Sequence, residues 1–114
     1  MNFRLRDLTQ TIELGMEVEN AVKLCAKAIN STKGYRLKEY DVENGIITCF
    51  YEKGTIKFYV DETDACKITF MFHGNGHGGT FCTGSISYKG YEYNLIAVRM
   101  LRNSIKDIFK QLLL

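Results

Sequence analysis

The strongest constraint in this chain is a series of short stretches, divided by Asn44-Gly45, Lys53-Gly54 and Asp61-Glu62-Thr63-Asp64, whose apolar residues alternate and stay in step across each turn. Alternation of period two marks a strand with one buried face. Asn-Gly is the strongest short hairpin signal, because both central residues of a type I′ turn take positive φ. A two-residue reversal there sets Tyr40 opposite Cys49 and Val42 opposite Ile47. A second at Lys53-Gly54 sets Tyr51 opposite Ile56, Cys49 opposite Phe58 and Ile47 opposite Val60. The same face continues through Cys66, Ile68, Phe70 and Phe72, and then through Cys82, Ile86 and Tyr88. A slip of one residue would turn Glu39, Asp41, Glu52, Lys57 and Lys67 inward, and burying unpaired charges is costly.

The strands are flanked by two segments of helical period. Val18, Ala21, Val22, Cys25, Ala28 and Ile29 recur at helical spacing, with Glu19, Lys23 and Lys27 on the other side, which predicts a helix over Glu17 to Ser31. Gly34 then suits a left-handed C-terminal cap. From Tyr91 to Leu113, Leu95, Val98, Leu101, Ile105, Ile108 and Leu112 recur at intervals of three and four, opposite Arg99, Arg102, Lys106 and Lys110. Phe3, Leu5, Ile12 and Leu14 supply an N-terminal edge strand or docking arm within residues 1–14.

These elements predict one α+β domain over residues 1–114: an antiparallel meander of four to five strands, with the N-terminal and the long C-terminal helix packed on one face. The arrangement is similar in outline to helix-grip modules, in which a curved sheet wraps a long C-terminal helix. The likeness lies in the order of elements and implies a fold, not an activity.

The chain has 114 residues, enough for a real core, and no proline, so it offers no polyproline ligand segment. Its net charge of +2 is too small to suggest the concentrated basic field that nucleic acid requires. Charges break up the first residues, Met1 to Asp7, and no run approaches the ~18 apolar residues of a membrane span. The expectation is a soluble, cytoplasmic protein without a membrane span. Cys25, Cys49, Cys66 and Cys82 include no C-x-x-C pair, so they read as reduced, buried thiols rather than zinc or redox sites.

One segment is compositionally odd. Residues 72–80, Phe72-His73-Gly74-Asn75-Gly76-His77-Gly78-Gly79-Thr80, hold both histidines. Gly74, Gly76 and Gly79 formally match a dinucleotide fingerprint, but a strand follows where that motif needs a helix N-terminus. His73 and His77 lack a fixed third metal ligand. Cys66 or Cys82 with His77 as base would need an exposed thiol, whereas alternation turns both inward. The segment therefore reads as a long, mobile hairpin loop, with His73, Asn75 and His77 as a candidate ligand-binding loop. No catalytic residue, metal site or cofactor is assigned.

The other available surface is the sheet face turned away from the helices. In this register it displays Phe50, Tyr59, Met71 and Phe81 among threonines, serines and lysines. An aromatic sheet face bordered by lysine can stack single-stranded bases, but the required composition is absent. Contiguous apolar surface on a soluble domain marks protein contact. The sequence thus points to a non-catalytic interaction domain, a homodimer or one with a protein partner, joined through the outer sheet face or an edge strand. The alternative is a small-ligand pocket between the sheet and the C-terminal helix, near loop 73–79.

Overall fold

The computed structural model describes residues 9–51, 67–87 and 95–113. Its elements are β1 (Thr9–Leu14), α1 (Val18–Ser31), β2 (Tyr35–Asp41), β3 (Ile46–Tyr51), β4 (Lys67–Gly74), β5 (Thr80–Ser87) and α2 (Leu95–Leu112). The strands form one antiparallel sheet in the order β1-β5-β4-β3-β2. β1 lies at one edge of the sheet, and the chain crosses the sheet through α1 to reach the opposite edge; Phe3 and Leu5 lie outside the described residues. Both helices lie on one face, α1 over β2 to β4 and α2 over β1 and β5. This is the α+β helix-grip arrangement.

Among the described residues the core follows the alternation, except at Tyr40. Ile47, Cys49, Ile68, Phe70, Phe72, Cys82 and Ile86 are buried on the inner face of the sheet. They meet Ala21, Val22, Cys25, Ala28 and Ile29 of α1 and Ile105, Ile108, Phe109 and Leu112 of α2. The side chains of Leu95, Val98 and Leu101 lie outside the described residues. At Gly84 the sheet comes so close to α2 that a Cβ would sit 2.8 Å from Ile105 Cγ2 and 3.1 Å from Phe70 Cε1. Phe70 and Phe109 meet edge to face, with ring centroids 5.8 Å apart.

Polar contacts pin α2 elsewhere. Tyr35 Oη donates to the Ser104 carbonyl at 3.1 Å, Gln10 Nε2 to the Arg102 carbonyl at 3.0 Å, and Gln111 Nε2 to Thr32 Oγ1 at 2.6 Å. Burial, the nearby Asp107 and the tilted neighbouring ring of Tyr51, 5.1 Å away, raise the Tyr35 pKa. The ring therefore stays a neutral donor.

The first hairpin departs from the two-residue expectation. Asp41 pairs with Ile46, so the connection is 42–45, closed by the Gly45 N–H to the Val42 carbonyl at 3.3 Å. Asp41 is the cause: Oδ1 accepts from the Asn44 N–H at 3.0 Å and Oδ2 from Asn44 Nδ2 at 2.8 Å. The Asn44 side-chain bond and then its backbone bond hold the Asp41 carboxyl below its ordinary pKa. Gly45 is required twice over, by φ +65° and because a Cβ would lie 2.7 Å from the Phe72 carbonyl oxygen. The register moves by two residues, which preserves the faces, so Tyr40 lies opposite Ile47 rather than Cys49. At the edge of the sheet Tyr40 is left 45% exposed. An irregularity at Lys38 then returns Leu37 to a position opposite Cys49.

The second expected hairpin falls on residues outside those described, but the flanks of β3 are both visible. Cys49 pairs with Leu37 and Ile68, and Ile47 with Tyr40 and Phe70, so both flanks of β3 are taken. Residues 52–66, with Lys53-Gly54, Phe58, Tyr59, Val60 and Cys66, lie outside the described residues, as does Tyr88.

Candidate functional site

Two regions emerge: the turn between β4 and β5, and the outer sheet face. Gly74 pairs with Thr80, so the turn is 75–79, a compact reversal rather than a long loop. Asn75 organises it. Its Oδ1 accepts the His77 N–H at 2.7 Å and the Gly79 N–H at 3.0 Å, its Nδ2 donates to Glu13 Oε2 at 2.7 Å, and its backbone N–H reaches the Gly79 carbonyl at 3.0 Å. Asparagine suits this place because its side chain mimics a turn peptide. A Cβ at Gly79 would lie 2.5 Å from Asn75 Nδ2 and 2.8 Å from the Leu14 carbonyl oxygen, so only glycine lets these segments meet. Behind the turn, the fully buried Thr80 hydroxyl donates to the Met16 carbonyl at 2.8 Å.

Between this turn and the end of β1 lies an open cleft of ≈ 300 Å³, lined by Glu13, Leu14, Gly15, Asn75, His77, Gly78 and Gly79. The expected ligand loop therefore does border a cleft, but its other wall is the β1–α1 corner, not α2. The reason lies in the sheet order: β1 pairs with β5 and runs past the turn, a contact between residues 62 positions apart at Asn75 and Glu13. Glu13 and Gly15 carried no sequence signal for this role. The two histidines separate, with His77 in the cleft wall and His73 exposed on β4, paired with Phe81. Among the described residues, no three His, Cys, Asp or Glu side chains are grouped to hold a metal ion.

The thiols are placed for packing. Cys25, Cys49 and Cys82 are all buried and free of disulfides. Burial pushes Cys49 and Cys82 up to about 12 and raises Cys25 as well, the opposite of what a nucleophile needs.

The outer face forms a grid fixed by the ladders. Glu39, Thr48, Thr69, Ser85 and Thr9 make one row, and Asp41, Ile46, Met71, Thr83 and Thr11 the next. Thr11 and Thr83 share a hydroxyl–hydroxyl bond of 2.9 Å. Met71 and Phe81 are 40% and 41% exposed on neighbouring strands. Phe50 differs from expectation. It stands outside the main core cluster, yet is only 7% exposed. Arg36 Cζ lies 4.7 Å from its ring centroid and Lys38 Nζ 5.2 Å. The sequence put Arg36 and Phe50 on separate strands, and only their pairing turns the basic residues into a cover for the ring.

No family model matches this chain, and no curated protein does. Solved structures do. A protein of Nitrosospira multiformis superposes with TM-score 0.61 at 10% identity, covering 92% of each chain. A protein of Thermus thermophilus gives 0.51 at 13% identity, again over 92% of each. The di-domain ARO/CYC protein BexL of the BE-7585A biosynthetic pathway gives 0.53 at 10% identity, over 90% of this chain and 44% of BexL. At such identities the likeness is one of fold alone.

Proposed function

We propose that this chain is a non-catalytic interaction domain that pairs with a second copy of itself through the outer sheet face. The observation that carries this reading is the uncharged centre of that face. Thr9, Ser85 and Thr69, with Thr11, Thr83, Met71 and Ile46, fill two rows without one charge, while Thr48 in the first row is buried. Met71 and Phe81 provide its exposed apolar area. Charges lie at the rim, as in protein interfaces with a depleted centre. They are also sorted by sign: Arg36, Lys38 and Lys67 lie at one end, with Asp41, Glu43 and Glu13 toward the other. A two-fold pairing that reverses the strand direction turns Arg36 and Lys38 of one copy toward Asp41 and Glu43 of its partner. The contact is isologous, as most homodimers are.

Sedimentation velocity across a concentration series tests this. The wild type should show a concentration-dependent dimer, and Met71→Glu with Phe81→Glu should sediment as a monomer with unchanged circular dichroism. A wild-type protein that stays monomeric throughout the series overturns the proposal.

A second reading is favoured by the cleft beside Asn75 and His77, whose size matches the lower end of small-molecule sites, ~300 Å³. The ARO/CYC protein of similar fold lends this reading analogy and no activity. Amide chemical-shift changes confined to Glu13, Gly15, His77 and Gly78 in a small-polar-fragment screen would support it, and a silent screen would remove it.

A further inference from the structure

The net charge of +2 conceals an uneven distribution. Arg99, Arg102, Lys106 and Lys110 are all exposed on α2, and none is ion-paired to a described residue. Their spacing of three, four and four confines them to roughly a quarter of the helix circumference, away from the buried Ile105, Ile108 and Leu112. Leu113 extends the same line by three. Its N–H continues the helical pattern to the Phe109 carbonyl at 3.1 Å, and its side chain is 59% exposed, more than Tyr40, Met71 or Phe81. The line runs about 21 Å at 1.5 Å per residue. Asp107, the nearest carboxylate on the helix, is close enough to Tyr35 and Tyr51 to raise their pKa values, on the side of β2 and β3.

We propose that this line is a docking surface for an anionic lipid bilayer, with the helix lying flat on it. The cations match acidic headgroups, and Leu113 can enter the acyl boundary. A nucleic-acid backbone would satisfy the cations but leave Leu113 against phosphate, and the line offers no aromatic ring for base stacking. This surface is on the helix layer, opposite the proposed dimer face, so either proposal can fail without the other.

Co-sedimentation with phosphatidylcholine vesicles, with and without phosphatidylserine, tests it. Binding should require phosphatidylserine and disappear in high salt, where screening is strong. Each cation is worth about fivefold in partitioning, so Arg102→Gln with Lys106→Gln should weaken binding about 25-fold. Leu113→Ser should weaken it several-fold while leaving any affinity for a short DNA duplex unchanged. No binding to acidic vesicles overturns the proposal. So does duplex binding as strong as vesicle binding together with an inert Leu113→Ser.

Discussion

Gly84 lies directly beneath Ile105, with no room between sheet and helix for even one carbon: an added Cβ would come within 2.8 Å of Ile105 Cγ2. Phe70 and Phe109 close the site on its other sides, at 3.1 and 3.3 Å, so no neighbour is the loose end of a long chain. Gly84→Ala should therefore lower stability by about 1–3 kcal/mol, the usual cost of overpacking. Urea unfolding should show a lower midpoint at an unchanged slope. An unchanged midpoint would mean that α2 slides freely over β5.

Asn75 joins the turn to β1 through bonds that no hydrophobic residue replaces. Asn75→Ala should cost about 1–2 kcal/mol and speed hydrogen exchange at the His77 and Gly79 amides. Asn75→Asp keeps the acceptor but sets a carboxylate against Glu13. Repulsion makes the folded state hold its protons more tightly than the unfolded state. The variant should thus recover stability as the pH falls through the carboxylate range, and in salt. A flat pH response of the difference from wild type would show that the Glu13 contact is not kept.

Phe50 is expected to act on stability rather than association. It is covered by Arg36 and Lys38, and Phe50→Ala should cost about 3 kcal/mol, near the low end for a truncated buried phenylalanine. The dimer constant measured at the same temperature should weaken only slightly, because Arg36 and Lys38 lose their support on the ring but remain rim charges of small worth. Loss of dimer at full stability would return Phe50 to the contact surface.

The buried thiols should be inert in the folded protein. In a Cys66→Ser background, Cys25, Cys49 and Cys82 should resist a thiol-disulfide reagent at pH 8 and react together once urea unfolds the chain. The sign of the linkage follows: folded thiol pKa values above the unfolded value of about 8.5 mean that the unfolded state loses protons first. These groups therefore contribute full stability below about pH 8.5 and less as the pH rises toward about 12, the value reached by Cys49 and Cys82. Labelling of the folded protein at pH 8 would contradict their placement.

The inner face was legible because alternation is a local property. Ile47, Cys49, Ile68, Phe70 and Phe72 point one way in any register shifted by two, so the faces survived an error in the turn. The turn itself was not legible. Asn44-Gly45 carries the same signal for a tight type I′ reversal as for connection 42–45, and the choice between them rests on Asp41 bonding to Asn44. The candidate cleft was half legible: glycines and Asn75 marked the turn, while Glu13 and Gly15 became its other wall only through the pairing of β1 with β5.

The chain's own residues determined two amphipathic helices, a sheet with one apolar face and the burial of Cys25, Cys49 and Cys82, because each follows from short-range periodicity and the cost of burying charge. Tertiary structure alone decided which strands are neighbours. Strand pairing is a contest among distant segments with similar patterns, and its outcome put Leu37 and Ile68 beside Cys49 and Arg36 across from Phe50. It also set Glu13 against Asn75.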